Sequence, residues 1–371
     1  MAIWSTGRAR GLAMLPSGGS ESAGWLPDGE AILGAHGRLH RRRGPHWDSI
    51  ALKVGVRDGT FVAFSPDGKR LASGLNYQVV KNADFEIWEL ATSKLLVETE
   101  ALAGHARTLA WSPDGGLLAA GAEDGNSTIY DTATGKRLGD LPATKAQIRT
   151  FAWSPDGKTI AAGYGGWGYC YVRLCDVSGK LVRELTCNNG PQEPEIVALH
   201  WSADGRTLQV LDRAAVYVFD TATGERLAEA PRLDPTPHRQ RPANFSPDGR
   251  YLAVATTCTR VWDLAELNAA AEWSLKSRKG SGFGVQGSGE DAGAAAEPAT
   301  AAPSNRQSPI QNPTLKLVAS VVPLGHGQAV VASADGHWLG TRGAEKEIVY
   351  VIKTAAGQQT LTPREFSKRF G

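Results

Sequence analysis

Short apolar runs recur along this chain, each closed by a polar turn and answered by a second run of small apolar residues. Phe61-Val62-Ala63-Phe64 leads into Ser65-Pro66-Asp67-Gly68 and then Leu71-Ala72-Ser73. The same order returns at Trp111 to Gly115 before Leu117–Ala120, at Trp153 to Gly157 before Ile160–Ala162, and at Phe245 to Gly249 before Leu252–Ala255. Trp201-Ser202-Ala203-Asp204-Gly205 departs from it at one position, Trp25-Leu26-Pro27-Asp28-Gly29 at two, and Ser333-Ala334-Asp335-Gly336 is a looser copy. Proline presets φ for the first turn position, aspartate bonds back to nearby backbone, and glycine takes the left-handed closing position. Asp28, Asp67, Asp114, Asp156, Asp204, Asp248 and Asp335 are therefore read as turn residues, and each copy predicts a hairpin.

These aspartates lie 39, 47, 42, 48, 44 and 87 residues apart. A unit of about 40–45 residues made of four short strands is the spacing of a propeller blade. The second half of the unit agrees: Ile87-Trp88-Glu89-Leu90, Ile129-Tyr130-Asp131-Thr132-Ala133-Thr134-Gly135, Val218-Phe219-Asp220-Thr221-Ala222-Thr223-Gly224 and Val261-Trp262-Asp263 share one pattern. It is an apolar strand, an aromatic–acidic pair, and a turn into a fourth strand.

With both halves of the unit in view, the chain resembles the WD40 repeat family over roughly residues 1–265 and more loosely over 314–371. The stretch from Gly343 to Gly371 resembles a tail found after the repeats in some large bacterial WD40 proteins. The resemblance implies an all-β propeller of seven four-stranded blades. The pairing of strands near Ile3–Trp4 with Ile348–Ile352 is expected to close it, since an open ring would leave two bare edges. The expected organisation is blades one to six with the N-terminal closing strand over 1–271, a disordered low-complexity insertion over 272–313, and the last blade with a short C-terminal helix over 314–371. The insertion is read from its Gly, Ala, Ser and Pro content, which buries too little apolar surface to offset ordering. The helix is read from Thr362-Pro363-Arg364-Glu365, a capping box, with Phe366 and Phe370 four apart.

Composition narrows the function classes. A net charge of +2 with 21% charged residues gives no global pull toward nucleic acid or membrane. Cys170, Cys175, Cys187 and Cys258 have no C-x-x-C spacing and read as reduced thiols. The N-terminal residues hold no continuous apolar stretch, which predicts a cytoplasmic protein. The family's His–Asp–Ser–Trp chain is broken: blade three keeps His105 and Asp124 but has Ala120 and Tyr130, while blade two keeps Ser73 and Trp88. His105 is therefore given a structural role. His36, His40 and His46 sit among three adjacent arginines, which oppose a metal ion, so no metal or cofactor is expected. No nucleophile or phosphate-loop motif is present, and the expectation is a non-enzymatic protein.

In a four-stranded blade the Ser-Pro-Asp-Gly turns and the turns after the third strand lie at one end. Variable sequence at 36–47, 76–84, 122–127, 164–169, 188–195 and 233–242 falls at the other, where WD40 proteins bind partners on a rigid platform. Arg38, Arg41, Arg42, Arg43, Trp47, Arg57, Tyr77, Lys81 and Trp167 are the candidate partner-binding residues, on loops facing a protein or peptide. The chain is thus read as a monomeric interaction scaffold. Nucleic-acid binding through the basic 36–47 loop is the alternative, and a propeller hydrolase or quinoprotein comes third.

Overall fold

A computed structural model describes residues 22–25, 31–35, 38–43, 46–50, 62–74, 85–92, 94–99, 106–122, 124–166, 169–187, 195–213, 215–231, 243–255, 259–279, 313, 315–323, 329–333, 338–340, 350–354, 357–361 and 368. It is an all-β propeller built from four-stranded antiparallel sheets. The first blade holds β1 (Ser22–Trp25), β2 (Ala31–Ala35), β3 (Arg38–Arg43) and β4 (His46–Ile50). The second holds β5 (Val62–Phe64), β6 (Arg70–Gly74), β7 (Phe85–Glu89) and β8 (Lys94–Glu98). The third holds β9 (Ala106–Trp111), β10 (Leu117–Ala122), β11 (Ser127–Asp131) and β12 (Arg137–Asp140). The fourth holds β13 (Gln147–Trp153), β14 (Thr159–Gly166), β15 (Tyr169–Asp176) and β16 (Leu181–Thr186). The fifth holds β17 (Ile196–Trp201), β18 (Thr207–Asp212), β19 (Ala215–Asp220) and β20 (Arg226–Pro231). The first strands of these blades, from β1 to β17, pack against one another in sequence, so they form the inner wall.

The predicted turn closes in the same way five times. The Ser65, Ser112, Ser154, Ser202 and Ser246 hydroxyls each donate to the aspartate two residues on, at 2.5–2.6 Å. That carboxylate also accepts the N–H two residues further, from Lys69, Gly116, Lys158, Arg206 and Arg250. Gly68, Gly115, Gly157, Gly205 and Gly249 follow with φ between 65° and 71°. The serine donors hold all five carboxylates below their ordinary value of 3.8. A carboxyl whose folded pKa is depressed adds stability above its ordinary pKa, and that stability is lost as pH falls below it. Ser154→Ala should therefore destabilise the protein most near neutral pH, with the deficit shrinking toward about pH 2.5. Urea midpoints at the two pH values test this, and a deficit independent of pH would refute it.

Blade packing rests on small residues inside and one large residue per joint. Trp111 Nε1 donates to Ala63 O, Trp153 Nε1 to Ala110 O and Trp201 Nε1 to Ala152 O, each at 2.9 Å. Each indole lies over 90% buried, and reaches back from the end of a first strand to the first strand of the preceding blade.

The sixth blade departs from the expected boundaries. β21 (Ala243–Phe245), β22 (Tyr251–Ala255) and β23 (Thr259–Asp263) are followed by helix α1 (Ala265–Lys279), and the fourth strand is β24 (Lys316–Pro323), paired with β23 from Thr259↔Val321 to Asp263↔Lys316. The insertion thus interrupts a blade rather than separating two, and 316–323 completes the sixth blade where the last blade was expected. Its first part, 272–279, is helical. The cause is local. Asp131 and Asp220 accept the N–H two residues on, and Gly135 and Gly224 then turn the chain back at φ 72° and 79°. Asp263 likewise accepts Ala265 N–H at 2.8 Å. Leu264-Ala265-Glu266-Leu267 supplies no glycine, so the chain runs on as helix.

β25 (Ala329–Ser333) pairs with β24 and with β26 (Trp338–Gly340), and Asp335 lies outside the described residues. β27 (Tyr350–Thr354) pairs with β28 (Gly357–Leu361). Ile3–Trp4, the closing partner expected for Ile348–Ile352, lies outside the described residues. So do His105, Cys258, residues 280–312 and most of the expected C-terminal helix, of which Lys368 is described and helical.

The reading of the basic stretch 36–47 as a loop is corrected: Arg38–Arg43 and His46–Trp47 are strand, with β3 and β4 paired from Leu39↔Ile50 to Arg43↔His46. Alternation of Leu39 with flanking polar residues, and Gly44-Pro45 as a turn, are the strand signals that the charge obscured.

Candidate functional site

The end of the propeller opposite the Ser-Pro-Asp-Gly turns is shaped by irregularities where the inner strands begin. Pairing between the first two strands skips one residue in three successive blades. Thr108 and Ala106 face Gly121 and Ala122, leaving Arg107 extra; Ile148 and Thr150 leave Arg149; Ile196 and Ala198 leave Val197. A bulge re-aims its extra residue, and such positions recur beside functional sites.

In the fourth blade the bulged residue takes part in a charge cluster with the fifth blade. Arg149 Nε lies 2.9 Å from Glu195 Oε1, and Arg213 Nη2 pairs with Glu195 Oε2. Glu195 stands just before β17 and forms a bridge with Gly165 of β14. A Cβ on Gly165 would come within 2.6 Å of Glu195 Cα, so only glycine permits the approach. Arg213 occupies the β18–β19 turn, which Asp212 organises: its Oδ1 accepts Ala215 N–H at 2.7 Å and its Oδ2 accepts the Tyr217 hydroxyl at 3.1 Å. Burial and the Asp212 charge push the Tyr217 phenol far up, so it stays a donor. With Asp212 beside it, the cluster sets two guanidiniums against two carboxylates, and the planar guanidinium fork is a geometry that recognises carboxylates and phosphates. Glu195 is mostly buried, while Arg149 and Arg213 are a quarter and a third exposed.

The sequence-nominated arginines divide between the two ends. Arg38 begins β3 beside the β2–β3 turn and shares this end; Arg41, Arg42 and Arg43 run toward the β3–β4 turn at the other, with Arg41 opposite Asp48 and Arg42 opposite Trp47. Arg57, Tyr77, Lys81 and Trp167 lie outside the described residues. The variable stretch 188–195 put Glu195 at this end, but sequence reading missed Arg149 and Arg213. A signal existed: Arg107 and Arg149 stand four residues before Trp111 and Trp153, and Arg241 four before Phe245, so the arginine recurs at one repeat position.

Among the described residues no three His, Cys, Asp or Glu side chains gather in a metal-binding group. No described helix is long and apolar enough to cross a membrane. Cys170, Cys175 and Cys187 are free and buried, and burial pushes the Cys175 thiol up to about 11, which disfavours the reactive thiolate. His200, held below its usual range by burial, lies against Phe245 with ring centroids 5.9 Å apart.

Residues 84–147 and 140–204 each match the family model of the anaphase-promoting complex subunit 4 WD40 domain. A solved structure with a similar chain trace is Kuenenia stuttgartiensis hydrazine synthase, at 15% identity and a TM-score of 0.59 over 92% of this chain and 99% of that one. At that identity the likeness carries the fold alone. Among curated proteins none matches the chain.

Proposed function

We propose that this chain, a WD40-repeat propeller, is a non-enzymatic scaffold that binds a protein partner through the end bearing the Arg149–Glu195–Arg213 cluster. WD40 domains in general mediate protein interactions, and the resemblance to hydrazine synthase extends no chemistry to this chain. The observation that carries the reading is the bulged inner strand: the Ser-Pro-Asp-Gly end repeats one closed turn, whereas the opposite end varies from blade to blade and presents guanidiniums on a rigid wall. Arg38, Arg57, Tyr77, Lys81 and Trp167 belong to the same proposed surface.

Capture of partners from the native source, with cross-linking and identification by mass, tests this. Arg213→Ala leaves Arg149 on Glu195, so it should abolish capture while the melting temperature holds. Lys136→Ala, in a turn at the other end, should leave capture intact. The reverse pattern would place the interface on the wrong end. Binding of mixed-sequence DNA or RNA that falls steeply with salt and is lost in Arg213→Ala would instead make the ligand a nucleic acid.

A further inference from the structure

The outermost strands carry a second periodic irregularity. Where the fourth strand pairs with the third in the second to sixth blades, one residue is extra, as it is not in the first: Leu96 in β8, Leu138 in β12, Val182 in β16, Leu227 in β20 and Val318 in β24. Every one is apolar. Leu96, Leu138 and Val182 are 43%, 52% and 54% exposed, while Leu227 is 9% exposed.

The difference at Leu227 is helix α1. It lies against β19 and β20, and Leu264, Leu267 and Ala271 share one apolar cluster with Leu227 and Val218. Ser274 Oγ donates to Leu227 O at 3.1 Å. Asn268 Nδ2 and Gln209 Nε2 both donate to Gly249 O, at 3.0 and 2.9 Å, and Gln209 also donates to Asn268 Oδ1. The bulged apolar residue at the joint between the fifth and sixth blades is thus the seat of a helix.

One joint earlier, the same position opens on a cleft of about 270 Å³. Val182 of the fourth blade is its exposed apolar residue; Leu174 and Trp201 also line it but are almost wholly buried, and Asp156 and Asp204 stand along it. By repeat position Val182 corresponds to Leu227, and Thr221 to Leu264. Thr221 already donates to Gly205 O at 2.9 Å, so an occupant here needs no counterpart of Asn268. Both aspartates are ionised at neutral pH, and an occupant offering cations beside its apolar stripe would complement them.

We infer that the cleft between the fourth and fifth blades is a docking site for an amphipathic helix of a protein partner, with leucine and alanine at i, i+4 spacing and basic residues at one end. The α1 sequence has this composition, with Leu267, Ala271 and Leu275 on one stripe and Lys276, Arg278 and Lys279 in its last turn. The site lies at the end opposite Arg149, Glu195 and Arg213, and it stands or falls independently of the function proposed above.

A labelled synthetic peptide of residues 264–279, titrated into the full chain and followed by fluorescence anisotropy, tests it. Saturable binding is expected, at least about tenfold weaker on Val182→Asp, with Leu96→Asp and Arg213→Ala binding as the unaltered chain does. Val182 is exposed, so its replacement should leave the melting temperature unchanged. Absence of binding at millimolar peptide, or equal affinity for Val182→Asp, would overturn the site. Binding lost in Leu227→Asp but kept in Val182→Asp would overturn it as well, since the peptide would then be replacing α1. A dimer in sedimentation that Val182→Asp dissolves would also overturn it, because a second copy would then be the occupant.

Discussion

Trp153→Ala is expected to destabilise the propeller by about 3–5 kcal/mol, the range for emptying a buried tryptophan site, and Trp153→Phe by about 1 kcal/mol, the usual net value of one hydrogen bond. The indole is buried between two inner strands, so alanine there opens a void at a joint with little else to fill it. Ala110, Ala119 and Ala162 beside it are small, and the apolar cluster around it depends on the ring. Phenylalanine keeps most of the ring and loses the donor to Ala110 O. The chain itself supports that ranking, because Phe64 and Phe245 occupy the same repeat position in the second and sixth blades. Urea unfolding of both variants tests the claim. Equal losses would mean that the hydrogen bond, and not the ring, holds the joint.

Hairpins were legible wherever one turn sets the backbone by local chemistry. Ser154, Pro155, Asp156 and Gly157 determine their own geometry within four residues, so the pattern could be read without knowing what surrounds it. The joints between blades were less legible. Nothing in Trp111 or Trp153 says which carbonyl the indole will find, because the acceptor lies 43 residues back along the chain for Trp153. The Arg149–Glu195–Arg213 cluster joins three segments for the same reason, and only the recurrence of arginine four residues before the blade tryptophan hinted at it.

Two misreadings came from letting composition outrank pattern. Arg41, Arg42 and Arg43 looked like a solvated loop because charge is rare inside sheets, yet the outermost strands of a blade border water at their edge, and strand pairing there needs only backbone. The insertion was placed between blades because its low-complexity residues begin soon after a third strand. A blade can complete itself across a long excursion, since closing a longer loop adds little entropy cost, about 0.6 kcal/mol for each doubling. The apolar residues of α1, read as the tail of the repeat, were the sign that ordered structure continued past Asp263.

Gly179→Ala is the other large effect expected, at more than about 3 kcal/mol, and the reason lies between blades rather than within one. Gly179 has φ 87°, a left-handed conformation that costs an ordinary residue about 1–2 kcal/mol. A Cβ there would also fall 2.3 Å from Asp140 O in the fourth strand of the third blade. That obstacle is backbone and cannot rotate aside, so the two blades must separate. Gly139 meets the same joint from the other side, its Cβ position lying 2.2 Å from Ser178 O. Gly224 occupies the corresponding turn one blade on, with φ 79°, but its new methyl would meet Arg183 Cδ at 2.6 Å, a side chain with room to swing. Gly157 has φ 68° and no neighbour nearer than Pro113 Cδ at 3.8 Å. The expected order of loss is therefore Gly179→Ala, then Gly224→Ala, then Gly157→Ala, with the last near the conformational cost alone, about 1–2 kcal/mol. Midpoints of urea unfolding for the three variants decide it. If Gly179→Ala and Gly157→Ala lose the same amount, blade-to-blade contact at this turn contributes nothing, and the glycine is there for its φ alone.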